Sequence, residues 1–213
     1  MYGLDDDLWF PRQDLADEDG LLAVGGDLRP ERLLLAYANG IFPWFNPEDP
    51  ILWWCPDPRF VLFPDALKVS KSMKQVLRRE VFGYRFDSDF ERVIRSCAGA
   101  DRGEDVGTWI TEDMIQAYRE LHLMGFAHSA ESWQDGTLVG GLYGVRLGNM
   151  FFGESMFSHV SNASKAAFIN LVQQLQAEGV ELIDCQMHTP HLESLGAGYI
   201  ARSAFLEQLR SLI

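Results

Sequence analysis

The amino-acid sequence predicts a mixed α/β chain of α+β character: a small N-terminal domain over residues 1–57, then a larger unit over 58–213 with a mixed, largely antiparallel sheet. Three observations support this. Strand-like runs at 127–134, 137–147 and 150–158 are joined by Asp135-Gly136 and Gly148-Asn149, dipeptides that favour hairpin turns. A helix precedes this meander, and helix, strand, helix, strand and helix follow it, which leaves helices to cover a mixed sheet. Residues 42–64 hold six of the nine prolines and three of the six tryptophans. That density disfavours a helix or a central strand and reads as a pinned connector between the two units.

Each element has its local signal. Residues 29–39 begin with Arg29-Pro30 and are followed by Gly40, the start and stop of a short helix. Residues 70–79 have helical spacing. At 100 degrees per residue Lys68, Lys71, Lys74, Arg78 and Arg79 share an arc of about 140 degrees, with Val69, Met73, Val76 and Leu77 opposite. Residues 111–124 read as a helix capped by Thr111 and closed by Gly125. After the meander come an amphipathic helix at 162–178 ended by Gly179 and a strand at 180–186. A short helix near 191–195, a strand at 199–202 and a terminal helix from 203 complete the chain.

Composition narrows the function classes. Among 213 residues, 47% are apolar and 23% charged, so a substantial core forms and wholesale disorder is excluded. No apolar run approaches the roughly 20 residues of a membrane helix. The N-terminus lacks the basic flank and apolar stretch of a signal peptide, and Cys55, Cys97 and Cys185 form no C-x-x-C pair, so a reducing, cytoplasmic location is expected. The net charge of −13 argues against a protein that coats nucleic acid indiscriminately. Against that background, residues 68–79 hold five bases and no acid. The stripe is either a solvated helix face or a phosphate-contacting one, and its departure from the rest of the chain favours phosphate.

Several polar groups invite chemistry. Asp184 and Gln186 are two apart on a strand, so strict alternation puts both on one face and Cys185 on the other; this is either a solvated strand end or a working pair. Glu154 follows a glycine inside an otherwise apolar strand, which suggests close approach of a ligand or a bulge. Ser155 is not a nucleophile elbow, because Phe157 stands where G-x-S-x-G needs glycine. Cys185, His188 and His191 have ligand-like spacing but no evident fourth ligand, so no metal is expected. Gly25-Gly26-Asp27 and Gly140-Gly141 match no nucleotide-binding loop and read as turns. Trp44 and Trp109 are either core or stacking platforms for a flat base.

These segments converge on a family. The runs at 25–45, ILWWCPDPR (51–59), GTWIT (107–111), VGGLYGV (139–145), GESMFS (153–158), NASK (162–165) and LIDCQ (182–186) occur in order over nearly the whole chain. Together they resemble bacterial leucyl/phenylalanyl-tRNA–protein transferases. The resemblance implies a small N-terminal domain before an acyltransferase domain of the GNAT type. It also implies transfer of leucine or phenylalanine from aminoacyl-tRNA to proteins with N-terminal arginine or lysine, which marks them for N-degron degradation. In place of the Q/R-x-x-G-x-G/A cradle that holds acetyl-CoA in GNAT enzymes, the chain has SHVSNASK at 158–165, so no cofactor is expected.

Carried onto this chain, the resemblance implies Gln186 as orienter of the incoming amine and Asp184 as the carboxylate that polarises it. Glu154 and Asp184 would bind the acceptor, and Leu142, Met156, Phe168, Leu171, Leu175 and Ile183 would line the aminoacyl side-chain pocket. Trp44 and Trp109 would hold the terminal adenosine, and Lys71, Lys74, Arg78 and Arg79 the tRNA. Ile183 fits this set only if its strand bulges, since alternation puts it opposite Asp184. Tolerance of methionine as a third transferred residue is expected of an apolar pocket. A CoA-dependent acyltransferase and a non-catalytic tRNA-binding module are the competing classes.

Overall fold

The computed structural model describes residues 1–100 and 109–213. Two sheets organise them. The N-terminal sheet has four short strands, β1 (Tyr2–Leu4), β2 (Leu21–Gly25), β3 (Phe42–Pro43) and β4 (Leu52–Trp54), in the order β1-β2-β4-β3. The larger sheet has seven: β5 (Arg59–Leu62), β6 (Gly83–Phe86), β7 (Ala127–Gln134), β8 (Thr137–Leu147), β9 (Met150–Ser158), β10 (Leu182–Gln186) and β11 (Gly198–Ile200). Their order is β11-β5-β10-β9-β8-β7-β6, and every neighbouring pair is antiparallel except β9 with β10. The chain is therefore a mixed α/β protein with a small N-terminal sheet and a larger mixed one.

The helices are α1 (Pro30–Ala38), α2 (Lys71–Arg78), α3 (Phe90–Ala98), α4 (Glu112–Leu123), α5 (Ala163–Ala177), α6 (Pro190–Ser194) and α7 (Arg202–Leu212). Their ends follow the expected chemistry. Pro30 opens α1, and Thr111 caps α4 by accepting from the Met114 N–H at 3.2 Å. Among the described residues no helix is long and apolar enough to cross a membrane. One apolar core runs from Leu22, Leu33 and Trp53 of the N-terminal unit to Tyr143, Phe152 and Leu182 of the large sheet. A second, around α5, joins Phe151 and Ile183 to Met73 of α2.

Two expectations are corrected. Residues 42–64 are no mere connector: they supply β3 and β4 to one sheet, and β5 lies inside the other, between β10 and β11. Pro56, Pro58 and Pro64 stand just outside β4 and β5, and Pro43 is tolerated inside β3 because β3 is an edge strand. Gly140-Gly141 is not a turn but lies inside β8. A Cβ on Gly140 would sit 2.6 Å from that of Ala163, so glycine there lets α5 lie directly on the sheet. The strands β1, β2 and β6 and helix α3 were not expected from the sequence.

The parallel pair positions the site. β9 and β10 match at Met150 with Leu182, Phe151 with Ile183 and Phe152 with Asp184, and pair no further. Beyond that point β9 stays with β8, whereas β10 shifts register against β5 between Asp184 and Gln186. The two strands part, and a cleft opens at their C-terminal ends.

Candidate active site

The cleft is a cavity of about 400 Å³, roofed by Phe168 and Leu171 of α5 and walled by Leu142, Phe151, Met156 and Ile183. Its rim holds Trp44, Trp109, Cys185, Met187 and His191, with Glu154 and Gln186 on the floor. Five of the six expected pocket residues are here. Leu175 is not: it is fully buried in the second core. Phe168, Leu171 and Leu175 do share a helical face, but seven residues advance about 10 Å along the axis, and Leu175 passes beyond the end of the cavity.

The local backbone at 183–186 decides which groups face the cavity. Ile183 and Cys185 point inward and Asp184 points away, as alternation requires. Gln186 then adopts φ of +60° at the bulge, which returns its side chain to the Ile183 side. The expectation that Asp184 and Gln186 share a face is thus corrected, and the poor fit of Ile183 is resolved by the same bulge.

Asp184 is not a cavity group. It is fully buried and accepts two bonds from Arg59, Nε to Oδ1 at 2.8 Å and Nη2 to Oδ2 at 2.6 Å, a bidentate pair sealed on β5. The guanidinium is stacked between the rings of Phe42 and Phe205, 4.7 and 4.6 Å away. What Asp184 does toward the site is local: Oδ1 accepts the Gln186 backbone N–H at 2.9 Å and so pins the bulge. Arg59 was missed by sequence reading; it sits in a segment read as connector.

Glu154 is held by neutral donors instead. Its Oε1 accepts the Tyr37 hydroxyl at 2.9 Å and the Gln186 Nε2–H at 2.8 Å, and its Oε2 accepts the Tyr118 hydroxyl at 2.9 Å. Tyr37 and Tyr118, both fully buried, also contact each other through their hydroxyls. Burial pushes the Glu154 carboxyl up to about 7, against the pull of these three donors. Tyr37 comes from α1 and Tyr118 from α4, so elements far apart in sequence converge on one carboxylate. Nothing in the local pattern distinguishes them from core tyrosines.

The tryptophans flank the entrance. Trp44, 37% exposed, is anchored by its backbone: its N–H donates to Leu52 O at 3.0 Å, and its carbonyl accepts the Trp54 indole at 2.6 Å. Trp109 is half-buried and also lines the cavity; Gly107 and Thr108 before it lie outside the described residues. On α2, Met73 packs into the second core while Lys71, Lys74, Arg78 and Arg79 are exposed and make no ion pair with any described residue. Cys185, His188 and His191 do not converge: among the described residues no group of three or more His, Cys, Asp or Glu is placed to hold a metal.

Comparison with known proteins sets this geometry in context. Residues 61–210 match the leucyl/phenylalanyl-tRNA protein transferase family, and residues 26–57 match that family's N-terminal domain. The transferase of Nitrosospira multiformis is 61% identical over 199 residues, 93% of this chain and 85% of the relative. That of Flavobacterium johnsoniae is 56% identical over 99% of this chain and its own full length. Solved structures give remoter likenesses. L-PGS from Bacillus licheniformis has a TM-score of 0.43 at 13% identity, over 88% of this chain and 64% of that one. A GCN5-related N-acetyltransferase from Kribbella flavida has 0.41 at 11%, over 79% and 60%. The chain belongs to the leucyl/phenylalanyl-tRNA–protein transferase family and is an enzyme of that kind.

Proposed function

We propose that the enzyme moves leucine or phenylalanine, and also methionine, from aminoacyl-tRNA to the N-terminal arginine or lysine of acceptor proteins by aminolysis of the aminoacyl ester. The product is a protein marked for N-degron degradation in the cytoplasm. One observation carries this reading: a cavity walled by aliphatic and aromatic side chains ends at a floor where Gln186 and Glu154 are hydrogen-bonded to each other. Apolar walls suit the transferred side chain, and the polar floor suits an amine.

In the reaction the acceptor amine attacks the ester carbonyl carbon, the new C–N bond forms, and the C–O bond to the terminal adenosine breaks. The departing oxygen takes the proton that the amine gives up. An amine of pKa about 7.7 to 8.0 is roughly one-tenth neutral at pH 7, so the protein's task is positioning more than ionisation. Gln186 orients the amine. Asp184 acts through Gln186 as a positioning residue, because Arg59 occupies both its oxygens. Glu154, the one acidic side chain lining the cavity among the described residues, meets the basic acceptor. Trp44 and Trp109 hold the adenosine, and Lys71, Lys74, Arg78 and Arg79 contact the tRNA backbone. The unit over 58–213 carries the chemistry, and residues 1–57 complete it. No ATP or other energy-supplying cofactor is required, since forming an amide from an ester is downhill.

The test is incubation with leucyl-tRNA labelled in the amino acid and a protein beginning with arginine. Label is expected in the protein with the wild type and, within the assay time, not with Gln186→Ala. Label that stays on tRNA with the wild type overturns the reading.

A further inference from the structure

An exposed pair of rings lies just outside the cavity and has no part in the reaction proposed above. Tyr199 on β11 is 57% exposed and stacks on His188, with ring centroids 5.9 Å apart and planes inclined by 20°. Both rest edge-on against Phe60 of β5, at 4.9 Å for Tyr199 and 5.1 Å for His188. Phe60 itself is buried in the second core, so the face offered to solvent is the stack of His188 and Tyr199. Neither ring lines the cavity, although Met187 and Thr189, on either side of His188 in sequence, both do.

Sheet register ties this stack to the reaction centre. Tyr199 is opposite Phe60 across one strand boundary, and Phe60 is opposite Gln186 across the next. The three residues form one row, and two strand spacings put Tyr199 about 10 Å from Gln186 along it. The row lies on the cavity's side of the sheet. Phe60 packs in the second core with Ile183, which lines the cavity, and the bulge turns the Gln186 side chain to that same side. An acceptor whose amine is at Gln186 must lead the rest of its chain out of the cavity. An extended chain rises about 3.3 Å per residue, so the third residue lies roughly 7 Å from the amine and its side chain spans the remainder. The first and third side chains of such a chain fall on one side. With the first directed to Glu154 on the floor, the third is directed to the face of the sheet that carries the stack.

We infer that His188 and Tyr199 form a subsite for the third residue of the acceptor polypeptide and favour an aromatic side chain there. The inference rests on the proposed placement of the acceptor amine at Gln186. Charge selects a polypeptide over the nucleotide strand of the donor. His188 Nε2 lies 3.0 Å from Oε2 of Glu193 on α6, and Glu193 pairs with no lysine or arginine among the described residues. A phosphodiester beside that carboxylate would be repelled, whereas a peptide backbone is neutral. The stacked rings supply a flat face, and a third ring placed on it gains contact beyond its buried area.

The experiment uses the full chain with leucyl-adenosine as donor and the peptides RAFGG and RAGGG as acceptors, and measures kcat and the acceptor KM for each. The wild type is expected to favour RAFGG by about three- to tenfold in kcat/KM, carried by KM, the range that one aromatic contact supplies. Tyr199→Ala is expected to bring the two peptides within about twofold of each other, His188→Ala to reduce the ratio, and Tyr199→Phe to keep it. Each ratio is taken within one enzyme, so a loss of folded protein cancels. The dipeptide RA, which ends before the stack, is expected to react equally well with wild type and Tyr199→Ala. A wild-type ratio near one, a ratio that survives Tyr199→Ala, or an equal loss with the dipeptide overturns the inference. So does a Tyr199→Ala effect confined to the KM of a leucyl-CCA trinucleotide donor, which would assign the stack to the tRNA strand. Absence of transfer from the wild type to all three peptides is a different failure, that of the proposed function, and takes the subsite with it.

Discussion

Asp184 and Glu154 stand on neighbouring strands of the same parallel pair, and the fold treats them in opposite ways. Asp184 is fully buried and receives a guanidinium on both oxygens. Glu154 receives two phenols and an amide, all neutral. A carboxylate gripped on both oxygens by a guanidinium acts as structure. A carboxylate matched only by dipoles keeps a proton equilibrium near neutrality and an uncompensated charge for an incoming cation. The difference lies in the partner strand: β5 delivers Arg59 to Asp184, and among the described residues no cation pairs with Glu154.

The largest effect should come from breaking the sealed pair. Arg59→Met leaves a buried, unpaired carboxylate, and loss of one partner of such a pair costs about 3 to 5 kcal/mol. Denaturant unfolding of the variant should show that loss. Arg59→Met combined with Asp184→Leu should recover most of it, because an apolar pair of similar size needs no desolvation of charge. Recovery of stability without recovery of transfer would separate the two tasks of Asp184, holding Arg59 and pinning the Gln186 bulge.

The open carboxylate should show itself through pH. The Glu154 carboxyl is raised to about 7 in the folded chain from an ordinary 4.5. The folded state therefore binds a proton more tightly than the unfolded one between these values. Stability from this group is fully present below the ordinary value and is lost as pH rises through about 7. Removing the charge with Glu154→Gln should abolish that decline, on the order of 2 kcal/mol between pH 5 and pH 8. Parallel unfolding curves of wild type and variant across this range would place the proton equilibrium elsewhere. The same substitution should erode the preference for peptides that begin with arginine over norleucine.

Much of the scaffold was legible because its signals are local. Residues 127–134, 137–147 and 150–158 are strands over those spans, with Asp135 and Gly136 in the left-handed conformations that a tight hairpin needs. Glu154 and Gln186 stood out as polar groups in apolar strands. What escaped was long-range. Arg59, Tyr37 and Tyr118 acquire their meaning from contacts 125, 117 and 36 residues away along the chain. Only the folded sheet brings those partners together. The bulge at Gln186 was equally hidden, since a non-glycine residue with positive φ has no strong sequence mark.

The smallest effect on stability, and the sharpest extension of the contrast, belongs to α2. Its bases are the surface counterpart of Glu154: charges the fold leaves unpaired, as Lys71, Lys74, Arg78 and Arg79 have no acidic partner among the described residues. Because they are exposed, reversing two of them should change unfolding free energy by no more than about 0.5 kcal/mol. Their effect should appear only when the tRNA body is present. Each phosphate contact contributes roughly 0.7 to 0.9 to the slope of log affinity against log salt, so Arg78→Glu with Arg79→Glu should flatten that slope by about 1.5. Binding of charged tRNA at low salt should weaken accordingly, at similar cost for any tRNA sequence, since phosphate contacts carry no base information. Transfer from a minimal aminoacyl-adenosine, which has no phosphate backbone to lose, should stay at the wild-type rate. An unchanged salt slope would make α2 a solvated face and confine the rule, that unpaired charge marks function, to the floor of the cavity.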